Sequence, residues 1–395
     1  MSDTLKADSP AIRPETRAMI ERLIAFDTTS RNSNLELIHY VRDYLADLGV
    51  EAELVHDAEG RKANLYATLG PTDRAGIALS GHTDVVPIDN QDWSRDPWQV
   101  SEHDGRLYGR GTSDMKTFIA VALAHAPRFL EGELRTPIHL CFSYDEEVGC
   151  KGVPRLLEFL AARPVRPAMC IVGEPTDMKV ITGHKGKRSI CCHVRGKEAH
   201  SSLAPYGVNA VNAAARVVGF LADLAARKAE EGPFDEDFDV PHTTVHTGTI
   251  EGGTQLNIVP GHCRFEFEFR YLPQDDPEAL LAEVKRFAEE EVAPAMQAID
   301  PATGFTWEQI SGFPGLNLEP GAEVIELAKA LSGGNATGKV AFGTEAGLFD
   351  QNGIPAVVCG PGSIDQAHKP DEFISLEQIA LCERFMERLE ERLRA

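Results

Sequence analysis

The chain has no long apolar stretch and no excess of basic residues. Its 395 residues include no run of about 18 or more apolar residues, the length that a membrane-spanning helix requires. Lys and Arg total 39 against 61 Asp and Glu, and the formal net charge is -22. An acidic surface repels phosphates, which argues against nucleic acid and against an anionic membrane surface. The charge is compatible with a cationic substrate, but such charge more often simply confers solubility.

The eight cysteines show neither a metal-binding nor a disulfide pattern. Cys191 and Cys192 are adjacent and no CxxC pair occurs, which argues against a structural zinc ribbon and against a disulfide scaffold. The first residues, MSDTLKADSPAIRPE, are polar and contain no apolar run typical of a signal peptide. We therefore expect reduced thiols and a cytoplasmic protein.

Strand and helix patterns alternate along residues 1–182. The apolar runs GIALS, TPIHLCFSY and AMCIVG indicate buried strands, and MKTFIAVALAHAPRFL indicates a buried helix between two of them. The alternation predicts the α/β fold class, with a sheet covered by helices on both faces.

The pattern changes at residue 183. The segment CRFEFEFRY alternates apolar and charged residues, as a strand with one exposed face does, and it follows the long helix pattern VNAAARVVGFLADLAAR. We predict an inserted α+β sandwich over residues 183–294. Residues 1–182 and 295–395 are then the two parts of one α/β domain.

Histidines and carboxylates cluster after the predicted strands. Because the carboxyl ends of strands in α/β sheets are where sites form, these side chains are expected to converge. The candidates are His82, Asp84, Asp114, Glu146, Glu147, Glu174 and His368.

This residue set suits a hydrolase that uses two metal ions. Zinc binds imidazole nitrogens and carboxylate oxygens, and two neighbouring ions need a bridging carboxylate plus outer ligands for each. One bridge and two terminal ligands per ion can come from five of these candidates, His82, Asp114, Glu147, Glu174 and His368. Asp84, two residues after His82, can accept the second imidazole N–H of that histidine. Glu146 diverges from its neighbour Glu147 and can act as a general base on water.

Each residue taken alone has an ordinary structural explanation. A single histidine after a strand is more often a surface or capping residue, and Asp114 can be only a helix N-cap. The pair Glu146–Glu147 is typical of a solvated loop, Glu174 can be a turn residue before proline, and His368 a loop histidine. Their joint occurrence in this order favours the metal site.

Seven segments together resemble one known family. The segments SGHTDVVP, LYGRGTSDMK, DEEVGCKG, VGEPT, EAHSS, QLNIVPG and QAHKPDEF span positions 80–373 and are similar to the metallopeptidase M20 family of amidohydrolases. The combination of HTD, GRGxxDMK and DEE is highly specific for that family. Within it, GHKG, FGTEAGLF and GPGSIDQAHKPDE are most similar to the deacetylases of N2-acetyl-L-ornithine.

The resemblance implies a zinc-peptidase-like catalytic domain with a mixed sheet and two Zn²⁺ per chain. One ion is expected on His82 and Glu174 and the other on Glu147 and His368, with Asp114 as the bridge. Co²⁺ is expected to be able to substitute for zinc.

The resemblance also assigns roles around the metals. Glu146 is expected to be the general base, and the peptide bond from Asp114 to Met115 is expected to be cis.

The inserted domain is expected to be a lid that also mediates a homodimer. Its His200 matches a histidine that stabilises the oxyanion, often from the partner subunit, and Asn257 and Arg270 match substrate-contacting positions. An alternative for Arg270 is a strand-surface charge. Glu345 is a candidate partner for the substrate's ammonium group, with a structural role as the alternative.

The predicted reaction is hydrolysis of N2-acetyl-L-ornithine to L-ornithine and acetate, a step of arginine biosynthesis. The alternatives within the family are a succinyl-diaminopimelate desuccinylase, an acetylcitrulline deacetylase or a broad aminoacylase. A non-catalytic binding protein on the same scaffold is an alternative of another class. The intact candidate ligands and Glu146 weigh against it.

Overall fold

A computed structural model of the protein describes residues 11–394. The α-helices among these residues are α1 (Pro14–Ile24), α2 (Leu35–Asp47), α3 (Lys116–Leu130), α4 (Val153–Ala161), α5 (Ala210–Glu231), α6 (Pro277–Phe287), α7 (Ala293–Gln297), α8 (Glu323–Ser332), α9 (Ala346–Gln351) and α10 (Leu376–Arg394). A 3-10 turn spans Ser201–Tyr206, and a π-helical turn spans Ala288–Val292.

The strands of the described residues are β1 (Ala52–His56), β2 (Ala63–Leu69), β3 (Ile77–His82), β4 (Ser101–His103), β5 (Arg106–Tyr108), β6 (Ile138–Ser143), β7 (Met169–Pro175), β8 (Val180–His184), β9 (Gly186–Arg195), β10 (Thr244–Gly252), β11 (His262–Tyr271), β12 (Gly304–Phe313), β13 (Leu316–Asn317), β14 (Thr337–Val340), β15 (Ala356–Gly360) and β16 (Phe373–Ser375). Among residues 11–394, no helix is long and apolar enough to cross a membrane.

The chain divides into two compact units. The first unit runs to Gly183 and also contains Asn317–Gly338 and the residues from Thr344 onward. The second unit contains His184–Leu316 and Lys339–Gly343.

A nine-stranded mixed sheet forms the centre of the first unit. Its strands lie in the order β1-β2-β6-β3-β7-β15-β8-β13, and β14 also pairs with β8. The four strands β6, β3, β7 and β15 are mutually parallel neighbours. Every residue of β3, β6 and β15 is buried, as expected for central strands that are covered on both faces.

The second unit has a four-stranded antiparallel sheet in the order β10-β11-β9-β12. Along β11 the apolar residues Phe265, Phe267 and Phe269 alternate with charged residues, and their rings lie in a core shared with α5 and α6. The alternation has a period of two residues, so one face of the sheet is apolar and the other is charged.

Sequence signals account for the ends of the long helices in this unit. The side chain of Asn209 accepts a hydrogen bond of 3.0 Å from the backbone N–H of Asn212 and caps α5. Gly232, with a φ of 74°, follows the last residue of the same helix. Asp276 caps α6, and Pro277 occupies its first turn.

The predicted mixed α/β fold class is confirmed. The second unit ends later than the predicted boundary at residue 294, because β12 pairs with β9 from Gly304 to Phe313. That strand was not predicted. Its segment GFTWEQISGF contains a β-bulge between Gln309 and Ser311, which breaks the regular alternation that indicates a strand.

Candidate metal centre

The predicted metal ligands lie at one edge of the central sheet. Strand β3 pairs in parallel with both β6 and β7, so the three strands end at the same edge. His82 is the last residue of β3 and is the register partner of Ser143, the last residue of β6. The chain that leaves β6 and carries Glu146 therefore starts beside His82. Glu174 lies next to the end of β7.

Asp114 lies between two histidines, on the loop that leads into α3. Its Oδ1 atom is 2.9 Å from Nε2 of His82, and its Oδ2 atom is 3.2 Å from Nε2 of His368. The peptide bond from Asp114 to Met115 is cis, as expected from the resemblance. One carboxylate thus has each of its oxygens against a different imidazole, the arrangement of a bridging ligand.

The remaining ligand candidates divide between the two histidines. Nε2 of His82 is 3.6 Å from Oε1 of Glu174, and Nε2 of His368 is 3.0 Å from Oε2 of Glu147. The side chain of His82 is 1% exposed and that of His368 is 51% exposed. The cluster is therefore closed on the side of His82 and open to solvent on the side of His368.

The carboxyl groups of the cluster have pKa values above their usual range, with one exception. Burial raises the pKa of Glu146 well above its usual range, and the nearby Glu174 carboxylate raises it further. Burial also raises the pKa of Glu147, to about 7, and that of Glu174. Burial acts in the same direction on Asp114, but hydrogen bonds from His368 and His82 leave the pKa of this group below its usual value.

The histidines respond to the same charges in the opposite sense. Burial alone would lower the pKa of His82, but the Glu174 and Asp114 carboxylates raise it well above its usual value. Hydrogen bonds to Asp114 and Glu147 raise the pKa of His368 to about 10. The cluster therefore holds several carboxylates that need positive charge nearby.

The residues fit divalent cations. Donor atoms of His82, Asp114 and Glu147 lie within 4.8 Å of one another, and so do those of His82, Glu146 and Glu174. Nitrogen and carboxylate oxygen donors are those that zinc prefers. Oε1 of Glu147 is buried and has no hydrogen-bond partner within residues 11–394, so it is free to bind a cation.

The tautomer of His82 also supports a cation-binding role for this cluster. Its Nδ1 atom donates to the backbone carbonyl of Asp84 at 2.9 Å. Because Nδ1 keeps its proton for this carbonyl, Nε2 is the nitrogen of His82 left to bind a cation, and it faces carboxylate oxygens of Asp114 and Glu174. A lone pair that faces anionic oxygens is stabilised by a cation between them.

Asp84 differs from its predicted contact. Its carboxylate Oδ1 is 3.6 Å from Nδ1 of His82, too far for a hydrogen bond, and the backbone carbonyl takes that N–H instead. The carboxylate accepts the backbone N–H groups of Glu146 at 3.1 Å and Glu147 at 3.3 Å, and the hydroxyl of Ser30 at 2.7 Å. Asp84 therefore orients the loop that carries the two glutamates as well as the imidazole.

Glu345 lies in a closed environment. It is fully buried, its Oε1 accepts a hydrogen bond of 2.8 Å from the hydroxyl of Ser143, and burial raises its pKa to about 8. A carboxylate that binds a substrate ammonium needs an open face, which Glu345 does not have here. This environment favours the structural alternative for Glu345, and its contact with a substrate ammonium group stays a prediction.

The other predicted substrate-contacting residues belong to the second unit. His200 and Asn257 are exposed and are neighbours, since the backbone N–H of Ser201 donates to the carbonyl of Asn257 at 2.9 Å. Arg270, on β11, is 33% exposed at its side chain and donates from Nε to Glu268 at 3.0 Å.

Two buried residues next to Asp114 were not predicted. Arg110 and Glu372 form an ion pair of 2.7 Å and lie 262 positions apart in the chain. Both belong to segments that carry the resemblance, but their opposite charges alone give no sign that they are partners.

Comparison with known proteins identifies the family of this chain. The model of peptidase family M20/M25/M40 matches residues 78–392, which include all the ligand candidates described above. The chain belongs to peptidase family M20/M25/M40. It is accordingly an enzyme of the M20 hydrolase type, which is metal-dependent.

Two curated relatives cover most of the chain. The chain is 38% identical over 393 residues to an acetylornithine deacetylase of Myxococcus xanthus, covering 98% of each protein. It is 35% identical over 344 residues to an acetylornithine deacetylase of Shigella sonnei (strain Ss046), covering 87% of this chain and 86% of that protein.

Solved structures of other proteins share the fold. An M20 family metallo-carboxypeptidase from Sulfolobus solfataricus matches with a TM-score of 0.74 at 19% identity, covering 97% of this chain and 99% of that one. The aminopeptidase PepT from Bacillus cereus matches with a TM-score of 0.70 at 23% identity, covering 96% and 98%. At these identities the likeness concerns the fold alone.

Proposed function

We propose that this M20 protein is a dizinc deacetylase that hydrolyses N2-acetyl-L-ornithine to L-ornithine and acetate. The observation that carries the metal chemistry is the Asp114 carboxylate, which has one oxygen against His82 and the other against His368. The names and coverage of the two curated relatives support the substrate. The reaction belongs to arginine biosynthesis.

The proposed metal ligands are those that surround Asp114. His82 and Glu174 would hold one zinc ion, Glu147 and His368 the other, and Asp114 would bridge them. When bound, the two cations polarise the amide carbonyl and lower the pKa of a water molecule. Cobalt offers similar chemistry and is expected to substitute.

Glu146 is the proposed general base. It takes a proton from the attacking water, whose oxygen adds to the acetyl carbonyl carbon, and it delivers that proton to the amine nitrogen as the C–N bond breaks. A buried carboxyl with a raised pKa can hold the proton between these two steps. Asp84 supports the base by accepting the backbone N–H of Glu146.

His200 is the proposed oxyanion donor, as in the family. The backbone N–H of Ser202 donates to Nδ1 of His200 at 3.3 Å, so Nδ1 is an acceptor. A neutral His200 therefore carries its proton on Nε2, which makes that atom a donor. One donor to a developing oxyanion contributes about 3–4 kcal/mol.

Arg270 and Asn257 are the proposed substrate contacts. The planar guanidinium of Arg270 suits the α-carboxylate of the substrate, and its Nε is already oriented by Glu268. The net charge of -22 is compatible with a substrate that carries an ammonium group. We further propose a homodimer and a cytoplasmic location, where the eight free thiols, all within the described residues, stay reduced.

The test of this proposal combines metal analysis with acetate release. The zinc-loaded protein is expected to release acetate from N2-acetyl-L-ornithine, to lose this activity on chelation, and to regain it when zinc is returned. Elemental analysis should find two zinc ions per chain, and His368→Ala should lower that number while the fold stays intact. Full activity after complete removal of metal would contradict the mechanism.

A further inference from the structure

Glu372 is buried against the loop that carries Asp114. Its side chain is 1% exposed, and its carboxylate accepts three backbone N–H groups of that loop. Oε1 accepts from Ser113 at 2.8 Å and from Asp114 at 3.1 Å, and Oε2 accepts from Gly111 at 3.0 Å. The position of the Asp114 backbone is therefore tied to one side chain.

A chain of hydrogen bonds continues from Glu372 to His368. Nη1 of Arg110 donates to Oε2 of Glu372 at 2.7 Å, and Nη2 of the same guanidinium donates to Oε1 of Gln91 at 2.6 Å. The amide of Gln91 then donates to the backbone carbonyl of His368 at 3.0 Å. The same network thus contacts the backbone of both residues that lie 3.2 Å apart at their side chains, Asp114 and His368.

The segment from His368 to Glu372 depends on such contacts for its conformation. His368 has a φ of 62° and Asp371 a φ of 54°, backbone values that residues other than glycine rarely adopt. Asp371 is held because its carboxylate accepts the backbone N–H of Ser94 at 2.9 Å and the hydroxyl of the same residue at 2.7 Å. The backbone at His368 and just after it is therefore held by side-chain hydrogen bonds of Gln91 and Asp371.

We propose that Glu372 is a positioning residue that sets the separation of Asp114 and His368, and thereby the affinity of the metal position that these two residues share. The proposal rests on the two-zinc function proposed above. His368 would bind only one of the two ions. Loss of the Glu372 carboxylate should therefore lower the affinity for that ion more than the affinity for the ion on His82 and Glu174.

Zinc titration of the metal-free protein tests this inference without reference to activity. Zinc is added to chelator-stripped protein in the presence of a competing chromophoric chelator, which resolves the affinities of the two equivalents. In Glu372→Gln an amide N–H₂ replaces one acceptor oxygen of the cradle. We expect one equivalent to bind about 10–100-fold more weakly, the usual effect of removing an outer partner of a ligand. Glu372→Asp keeps the charge and should recover part of the affinity.

A matched variant separates positioning from general stability. Glu390 is also a buried carboxylate, paired with Arg128 at 3.1 Å and with Arg394 at 3.0 Å. Glu390→Gln is expected to lower the melting temperature and to leave both zinc affinities unchanged. Gln91→Ala, at a half-buried position that should tolerate substitution, should weaken the same equivalent as Glu372→Gln, by a smaller factor.

The outcomes separate this inference from the proposed function. A wild-type protein that binds no zinc would contradict the proposed function itself. A wild-type protein that binds two zinc ions, with unchanged affinities in folded Glu372→Gln, would overturn the positioning role alone. Equal weakening of both equivalents would also overturn it. If Glu372→Gln does not fold, unchanged zinc affinities in Gln91→Ala would overturn it.

Discussion

Glu146 and Glu147 are sequence neighbours with different surroundings. Oε2 of Glu147 is 3.0 Å from His368, whereas Oε1 of Glu146 accepts a hydrogen bond of 3.4 Å from the thiol of Cys150. Both backbone N–H groups are bound by the same Asp84 carboxylate. Asp84 holds the backbone of both residues while their side chains face different partners. Glu147 can thus serve as a metal ligand and Glu146 as a base.

The role of Glu146 leads to the first prediction. Glu146→Gln should keep both metal ions but lose about 10²–10⁴-fold in kcat, because an amide cannot accept the proton of water. The measurement is steady-state deacetylation together with zinc analysis of the same sample. A fully metallated Glu146→Gln protein with wild-type turnover would contradict the assignment of the base.

Residue types and order predicted which side chains come together, but not all of their contacts. His82, Asp114 and Glu174 could be placed together because each lies near a predicted strand end or helix start. Their metal-binding role stays a prediction. The contact of Asp84 with the N–H of Glu146 could not be predicted, since it depends on the conformation of the loop after β6. The same is true of Glu372, whose partners are backbone N–H groups.

Gly173 allows helix α3 to approach strand β7 next to Glu174, a proposed metal ligand. A Cβ at Gly173 would lie 2.0 Å from Cγ of Phe118, which is buried on α3. Gly173→Ala should therefore lower the free energy of unfolding by about 1–3 kcal/mol or more, as overpacking does. Denaturant unfolding measures the change.

A matched glycine provides the control for this prediction. Gly219 lies in α5, and a Cβ there would meet nothing within 4 Å. Gly219→Ala should leave the stability unchanged or raise it by about 0.5–1 kcal/mol, because alanine loses less backbone entropy in a helix. If Gly173→Ala were as stable as Gly219→Ala, the close approach of α3 to the strand would be wrong.

The central strand β6 carries a histidine that should make stability depend on pH. His139 is buried, and burial together with the nearby charge of Arg163 lowers its pKa to about 4. The unfolded state, with a pKa near 6.5, binds this proton first as the pH falls. The contribution of neutral His139 to the free energy of unfolding is therefore complete above about pH 6.5 and is lost as the pH falls towards 4.

Replacing this histidine should flatten the acid limb of the stability profile. The variant is His139→Asn, because the side-chain oxygen of asparagine can replace Nδ1 of His139, which lies 2.8 Å from the hydroxyl of Tyr66, as the acceptor for that hydroxyl. Between pH 7 and pH 5 the wild type should lose about 2 kcal/mol more than the variant. Urea unfolding at the two pH values measures this difference, and equal losses would contradict it.

The elements that were predicted are those with strong local signals. The apolar runs of β3, β6 and β7 predicted buried strands because such runs occur in sheets covered on both faces. The short strands β4, β5 and β16 and the bulged β12 lack such runs. The pairing of β5 with β16 and that of β12 with β9 join segments distant in the sequence, which local patterns do not reveal.

The proposed dimer of the whole molecule can be tested by complementation between two inactive variants. Sizing should give about twice the 43.1 kDa chain mass. If His200 acts across the interface, mixing inactive Glu146→Gln with inactive His200→Ala should restore activity, because one site of the mixed dimer has both residues. Random mixing makes about half of the dimers mixed, each with one working site, so recovery should approach about a quarter of wild type. If subunit exchange is demonstrated and no activity returns, His200 does not act from the partner subunit.

The proposed reaction of this M20 enzyme is removal of the acetyl group from N2-acetyl-L-ornithine. The most direct test is kcat/KM of the zinc-loaded protein for this amide, compared with N-succinyl-L,L-diaminopimelate and N2-acetyl-L-citrulline. We predict that kcat/KM is highest for N2-acetyl-L-ornithine by at least about tenfold, which corresponds to about 1.4 kcal/mol of preference. A higher kcat/KM for either of the other amides, or no hydrolysis of N2-acetyl-L-ornithine, would contradict the claim.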